Sequence, residues 1–556
     1  MTVMTGSRFV AEALHGYGVT HVFFVPGTMR RALVEMEDLG INRVLCHSEP
    51  AAAYMADGYA RAARRPGVVM AQSVGASNVA TGLRDAYLSH SPVIAITGGP
   101  YPETRYRHQY QQIEDFPMFE AVTKFNAVVE RAERVPDLMR QAFREATTGT
   151  PQPVHLRMLG RGGETVQGEG DLDAYIEPEY SRYPAERPEP DMTKVRQAIE
   201  ALAAAERPVM VVGGGAAASD AGSEVVKLAE LLSIPVVTSL NGKGLIPDDH
   251  PLCIGVVGLY SRKCANQVVS NADLVFFVGS GTDSLVTNNW KQPRRGAATV
   301  IQLNINPSEI GRNYPVKVGL VGDAKVTLSR MIEVAGSGKS RSEWVAKAQS
   351  FLSQWRTEVE PHYNSDVVPM RPERICKEIT EFLPEDAVVV ACTSHAAIWS
   401  GTMVDLKGPN HRYIRCAGTL GWGFPGAIGV KCALPDKPVL AFTGDGGMFY
   451  HLSELETCAR NGINLVVLVN NNHALAQTTT NLYAAYGDRP RDRAHEMWVF
   501  KDVNFAKIAD EMGCMGIRVT HPSEIQGALK TAFAANRPVV IDAVSDKDVM
   551  PGKVWG

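Results

Sequence analysis

Two short stretches in the last third of the chain carry residue types suited to metal and phosphate chemistry. After the apolar run 439–442 comes Thr443-Gly444-Asp445-Gly446-Gly447, and the next apolar run, 465–469, ends in Asn470-Asn471-Asn472. Glycines let backbone approach a phosphate closely, and an aspartate at a strand terminus is a hard oxygen ligand. An Asn amide oxygen after the neighbouring strand would complete an octahedral magnesium site together with diphosphate oxygens. A lone Gly-Asp-Gly is ordinary turn chemistry, and its pairing with asparagines across one strand–helix–strand unit gives it weight. The pattern predicts a helix over 451–460 between the two strands.

The chain that must position these residues has 556 of them, enough for three or four domains. With 45% hydrophobic residues it is an ordinary folded protein. Its 56 basic and 60 acidic residues give a net charge of −4, so a nucleic-acid partner is not expected. Nine cysteines, an odd number with no C-x-x-C spacing, argue against a zinc site or disulfide framework and for a reducing compartment. The start lacks a signal-peptide pattern, and no run approaches the ~18 apolar residues of a membrane span. A soluble, cytoplasmic protein is expected.

Two segments read as linkers, 168–191 and 336–371, rich in charge, proline and small residues. They leave three blocks: 1–166, 192–335 and 372–546. Each alternates short β-branched runs with longer helical patterns, as at 22–25, 68–71 and 93–96 in the first. The second has 209–212, 236–237, 274–278 and 300–303; the third has 387–391, 439–442, 465–469 and 539–541. Buried runs separated by helices predict an α/β fold, three consecutive domains each with a parallel sheet flanked by helices. Such sheets bind ligands beyond the carboxyl ends of their strands.

The Gly-Asp-Gly and Asn-Asn pair resembles the diphosphate-binding signature of thiamine-diphosphate enzymes. The resemblance implies that Asp445, Asn472 and the carbonyl of Ala474 hold Mg²⁺ against the cofactor diphosphate, beside Gly444, Gly446 and Gly447. The triple asparagine leaves Asn471 as the alternative to Asn472, and Ala476 stands where the family has glycine. An independent match lies in the first block. Glu49 and the following Ala51-Ala-Ala-Tyr-Met-Ala-Asp-Gly-Tyr-Ala-Arg61 resemble the family stretch whose glutamate hydrogen-bonds pyrimidine N1′. That bond makes the cofactor's own amino group basic enough to deprotonate its reactive carbon.

Further residues follow the same resemblance. Pro26 and Gly27 match the turn facing the thiazolium ring, and Asn78 closes a segment where Val74 replaces the family proline. Gln111 matches the glutamine that points at the reacting carbon. Thr393, Ser394 and His395 fall where relatives contact diphosphate oxygens. Gly418 and Leu420 match the segment beneath the pyrimidine, Leu420 being the bulky residue that bends the cofactor. In the middle block, Gly213-Gly-Gly215 opens toward a helix expected over 224–232. The resemblance there implies FAD or ADP binding or a nucleotide-free structural domain, with Gly281-Thr-Asp-Ser-Leu285 departing from the flavin pattern.

Together these features resemble the acetolactate-synthase-like superfamily, with pyrimidine-binding, central nucleotide-binding-like and diphosphate-binding domains. The implied activity is decarboxylation and carboligation of a 2-oxo acid. The alternatives are a 2-hydroxyacyl-CoA lyase or oxalyl-CoA decarboxylase acting on an acyl-CoA, and a non-catalytic cofactor-binding paralogue. The family implies a homodimer or homotetramer with active sites between subunits, placing Glu49 and Asp445 of one site on different chains. The segment 477–486 lacks the Trp-containing stretch of biosynthetic acetolactate synthases. The charged segment 487–500 reads either as a surface loop anchored by Trp498 and Phe500 or as a lid. In the lid reading His495 or Glu496 is a second acid–base group.

Overall fold

The computed structural model describes residues 2–336 and 338–554. Three six-stranded sheets, parallel at every pairing, follow one another along the chain. The first sheet orders its strands Asn42–Leu45, His21–Phe24, Gly67–Ala71, Val93–Gly98, Val154–Met158, Phe125–Val129. The third runs Arg412–Arg415, Val388–Ala391, Val439–Gly444, Val466–Asn471, Val539–Val544, Met515–Val519. Renumbered within each sheet, both read 2-1-3-4-6-5. The middle sheet runs Cys253–Val256, Val236–Thr238, Pro208–Val212, Leu274–Val278, Thr299–Asn304, Val318–Val321. Its order is 3-2-1-4-5-6, that of dinucleotide-binding doubly wound sheets. The expected α/β class with three flanked parallel sheets is what the chain forms. No helix among the described residues is long and apolar enough to cross a membrane.

Neither expected linker is structureless. Within 168–191, Glu169–Leu172 pairs antiparallel with Thr2–Thr5, tying the chain start to the end of the first unit. Within 336–371 lies the 22-residue helix Ser342–Tyr363. Its Trp344, Ala348, Phe351, Trp355 and Val359 recur at three and four residues and join the core over the middle sheet. Charged residues between those positions hide the stripe from a composition reading. The helix expected over 451–460 begins only at Glu454, because Asp445–Phe449 forms a separate short helix followed by a turn. The helix expected over 224–232 starts at Gly222, after a further short helix, Gly214–Ala218.

The first and third units share one hydrophobic core, built around the crossing of Glu49–Ala63 and Gly423–Ala433. Glycine makes this crossing possible. A Cβ added at Gly58 would lie 2.0 Å from the Gly426 carbonyl oxygen, and one at Gly429 would lie 1.8 Å from that of Met55. Backbone therefore packs directly on backbone. Beside the crossing, the fully buried Asp57 accepts from Arg61 Nε and Nη2 at 2.9 and 2.6 Å and from Trp422 Nε1 at 2.8 Å. Arg412 donates in return to the carbonyls of Arg61 and Ala62, both at 3.1 Å, at the negative end of the helix.

Gly429→Ala should therefore cost about 3 kcal/mol or more, because the obstacle is main chain and cannot rotate away. Urea unfolding checks this against Gly527→Ala, where a Cβ meets nothing within 4 Å and the change should be neutral or mildly stabilising.

Candidate active site

Strand order places the site before any side chain does. In the first and third sheets the order reverses direction between strands 1 and 3, and ligands bind at that crevice. In the third sheet the loops leaving those strands are Thr393-Ser394-His395 and Asp445-Gly446-Gly447. In the first they are Pro26-Gly27 and the start of helix Ser73–Leu88.

Asp445 is only 3% exposed. Its Oδ1 accepts the Gly446 N–H at 2.8 Å and its Oδ2 the Ala474 N–H at 3.0 Å. The Asn472 Oδ1 converges on the same Ala474 N–H at 3.2 Å. Burial pushes the Asp445 carboxyl up to about 7, so a neighbouring cation would be its natural partner. Strand Val466–Asn471 takes the first two asparagines into the sheet. Asn471 Nδ2 donates to Asp542 at 2.8 Å and to the Val503 carbonyl at 3.1 Å, committing that side chain to a packing role. A Cβ at Gly446 would lie 2.5 Å from Leu475, and one at Gly447 2.8 Å from Thr443 Oγ1. Ala476 needs no glycine, because it starts a short helical turn while His473 carries the left-handed φ of 56°.

Ser394 also has a left-handed φ, 66°, a strained conformation for serine. Its Oγ donates to Gln477 Oε1, and Gln477 Nε2 donates to Tyr260 of the middle unit at 2.5 Å. The largely buried His395 has no partner for Nδ1 among the described residues, and burial lowers it to about 4, keeping the ring neutral. The loop carrying Gly418 and Leu420 hangs from the first unit. Asp85 accepts the N–H groups of Ala417, Gly418 and Thr419 at 2.7, 3.3 and 3.3 Å. Leu420 Cδ1 comes 3.8 Å from where a Gly447 Cβ would stand, so this loop and the Asp445 turn are neighbours.

On the first unit, Glu49 opens its helix after the N-cap Ser48. Its Oε2 accepts from Asn78 Nδ2 at 3.1 Å. A Cβ at Gly75 would lie 2.5 Å from its Oε1, so the carboxylate rests on the first turn of Ser73–Leu88. Gln111, at φ 62°, offers its carbonyl to Ser73 Oγ at 3.2 Å on the same turn. Gly27 has φ 139°, and a Cβ there would be 2.4 Å from Gln72 Oε1. Glu49 and Asn78 are thus brought together, Gln111 meets the same helix through its main-chain carbonyl, and Pro26-Gly27 lies beside Gln72, the residue preceding that helix.

His495 and Glu496 stand apart from these clusters. Both are exposed and bonded within their own segment, Glu496 to Arg493 at 2.6 Å and His495 Nδ1 to the Asp492 carbonyl at 2.9 Å. The segment itself is anchored: Trp498 and Ala494 pack with Ala474 and Ala476, and the Trp498 carbonyl accepts the Leu475 N–H at 2.8 Å. Sequence reading missed Asp57, Asp85, Gln477 and Glu454. Glu454 is fully buried and accepts the His47 N–H at 2.9 Å, joining the approach to Glu49 to the turn after the Asp445 helix. A lone acid on a helix gives no signal of a partner hundreds of residues away.

Family models match all three units. Residues 4–118 match the thiamine pyrophosphate enzyme N-terminal TPP binding domain, 195–331 the central domain, and 393–543 the C-terminal TPP binding domain. The chain is 32% identical to a probable acetolactate synthase large subunit of Methanocaldococcus jannaschii, over 98% of this chain and 92% of that protein. It is 29% identical to the acetolactate synthase large subunit of Haemophilus influenzae, covering 100% and 97%. Against the acetolactate synthase isozyme 3 large subunit of Escherichia coli the identity is 28%, covering 100% and 98%. Buried Asp445 beside Asn472, Glu49 on its glycine seat and full-length similarity converge: this chain belongs to the thiamine pyrophosphate enzymes, as an acetolactate-synthase-like member.

Proposed function

We propose that the protein decarboxylates a 2-oxo acid and joins the resulting fragment to a second carbonyl compound, using Mg²⁺ with thiamine diphosphate. The observation that carries the metal is the convergence of the Asp445 and Asn472 oxygens on one amide, with burial raising the Asp445 carboxyl to about 7 where no cation offsets it. In this reading Asp445, Asn472 and the Ala474 carbonyl hold the metal, while Gly444, Gly446 and Gly447 keep side chains away from the diphosphate. Thr393, Ser394 and His395 line the adjoining strand end.

When bound, thiamine diphosphate supplies a nucleophilic carbon and an electron sink for cleaving or forming a bond beside a carbonyl. The chain's part is to place protons and exclude water. Glu49, held by Asn78 and seated on Gly75, carries the proton at pyrimidine N1′. Leu420 would support the ring, Gln111 would orient the reacting carbonyl, and Pro26 and Gly27 would lie against the thiazolium. The exposed aromatic segment around Gln111, with Tyr106 83% and Tyr110 71% exposed, fits a subunit contact. Each site would then join Glu49 of one chain to Asp445 of another in a homodimer or homotetramer.

The second reading is an acyl-CoA lyase or decarboxylase, favoured by the departure at 477–486, where Gln477 bonds to Ser394 and Tyr260. A non-catalytic paralogue is disfavoured by the intact Glu49–Asn78 pair. For FAD or ADP the middle unit offers a pocket of about 590 Å³ at its own switch point. Its glycines have another explanation. A Cβ at Gly213 would lie 2.5 Å from the Gly279 carbonyl, and the Gly213 and Gly215 N–H groups already bond to Val278 and Gly279. The cluster therefore serves the close approach of two loops, which weakens the nucleotide reading.

Turnover of pyruvate, oxalyl-CoA and a 2-hydroxyacyl-CoA by the purified enzyme loaded with thiamine diphosphate and Mg²⁺ separates these readings. Turnover of an acyl-CoA but not of pyruvate would replace the first reading by the second. Glu49→Gln should slow hydrogen–deuterium exchange at the cofactor's reactive carbon ~10²–10⁴-fold while cofactor still binds. Wild-type exchange in that variant would remove Glu49 from its role. Asp445→Ala and Asn472→Ala should each release metal and cofactor on dialysis, measured by metal analysis of the recovered protein. Asn471→Ala should instead lower stability by about 1–3 kcal/mol, since it strips a buried hydrogen-bond donor from Asp542. The lid reading of 487–500 predicts reduced turnover and an altered pH profile for Glu496→Gln at unchanged cofactor affinity. Unchanged turnover in both Glu496→Gln and His495→Ala would leave the segment a surface loop held by Trp498.

A further inference from the structure

Where the three units meet, a cavity of about 840 Å³ opens, within the range of small-molecule sites. Neither Glu49 nor Asp445 lines it. Its walls are basic: Arg64 just after the Glu49 helix, Lys227 and Lys325 on the middle unit, and Arg412 and Arg415 on the edge strand of the third. The lining carboxylates are Asp220 and Glu230. Asp220 serves two cations, Arg64 at 2.7 Å and Lys325 at 3.8 Å, and Glu230 faces His250 at 3.2 Å.

Arg61 and Lys243 also line the cavity but are held by Asp57 at 2.6 Å and Asp248 at 2.7 Å, whereas Lys227, Arg412 and Arg415 have no carboxylate partner among the described residues. Arg412 bonds only to the Arg61 and Ala62 carbonyls, and burial with the nearby Arg64 charge lowers its guanidinium. Arg415 is 4% exposed, donates to the Ala417 carbonyl at 3.2 Å, and leaves Nε without a partner. Burying positive charge without a counter-charge is costly. The adjoining 590 Å³ pocket differs in sign, because Arg312 there is neutralised by Glu309 at 3.0 Å, Asp323 is paired with Arg187 at 3.0 Å, and Asp283 adds negative charge.

We propose that the cleft between the three units binds a small polyanion, carrying two or more phosphate or carboxylate groups, between Arg64, Lys227, Lys325 and Arg412. Arginine and lysine together suit such groups, the guanidinium by its paired donors and the ammonium as a point charge. The ligand would touch elements of both cofactor-binding units. Arg64 follows the helix that begins at Glu49, and Arg415 stands three residues before Gly418. Binding would stabilise the docked arrangement of the three units by mass action.

The test uses the full chain saturated with thiamine diphosphate and Mg²⁺, so that the cofactor site is filled. Titration calorimetry with Mg²⁺-saturated inorganic triphosphate, and separately with citrate, should show one saturable site per chain that weakens with added salt. The tighter of the two identifies phosphate or carboxylate as the source of charge. Lys227→Gln combined with Lys325→Gln should weaken binding by ~10-fold or more, since each removes about one charge-assisted contact. The ligand-induced rise in melting temperature should fall with it, while turnover without ligand and the unliganded melting temperature stay at wild-type values. Asp283→Ala in the adjoining pocket should leave affinity unchanged or slightly higher. No saturable binding of either anion would overturn the proposal. So would binding that survives the double lysine change but is lost on altering the 590 Å³ pocket.

Discussion

The contact of main chain on main chain between Glu49–Ala63 and Gly423–Ala433 is the constraint on which the molecule's chemistry rests. Everything on either side is positioned relative to it. At the start of one helix stands Glu49, and eight residues before the Gly429 contact stands the Gly421 end of the loop that carries Leu420. Without Gly58 and Gly429 the helices would stand further apart by a side-chain layer. The Asp57–Arg61–Trp422 cluster and the Asp85 hook on Ala417–Thr419 would then lose their geometry together. A buried carboxylate shorn of its donors costs more than the hydrogen bonds alone. Close packing and charge pairing here therefore depend on each other.

The two cofactor-binding units use one strand order, 2-1-3-4-6-5, and place their loops at the same switch point. What differs is the chemistry of the loops. The third sheet carries Asp445, Asn472 and glycines, oxygen donors and open backbone that in the proposed reading meet a charged diphosphate. In the proposed reading the first offers Glu49 and Asn78 for a neutral, hydrogen-bonding ring. The middle sheet has the order of dinucleotide binders, yet its glycines meet one another across the switch point. Fold there does not settle what is bound.

The sequence made some of this legible for physical reasons. Strands buried on both faces, such as Val93–Gly98 and Leu274–Val278, are continuous apolar runs and stand out. Edge and polar-bearing strands did not. Arg412–Arg415 reads Arg-Tyr-Ile-Arg, and Val154–Met158 carries His155 and Arg157, both buried through partners distant in sequence. The Asp445–Asn472 pairing was visible because both lie at strand ends of one unit. The family resemblance favoured Asn472 over Asn471, but the packing that occupies Asn471, through Asp542 on a neighbouring strand, was not legible. Asp85 and Glu454 stayed hidden because their acceptors serve backbone over 300 residues away. The helix Ser342–Tyr363 was legible in principle, through the spacing of Trp344, Phe351 and Trp355, but its charged composition pointed to a linker.

The glycine crossing also bears on how the chain is made. Gly429 follows Gly58 by about 370 residues, so at ribosomal rates of ~5–20 residues per second the first helix waits roughly 20–70 s for its partner. Throughout that time the face that will receive Gly423–Ala433 is unpartnered. The helix is rich in small residues, Ala51, Ala52, Ala53, Ala56, Ala62 and Gly58 among them, although Tyr54, Met55 and Tyr59 also enter the shared core. A surface of methyl groups and bare backbone attracts wrong partners weakly, because each methyl carries little apolar area. The smallness that lets the two helices touch in the finished protein therefore also reduces the apolar area a half-made chain presents to its neighbours.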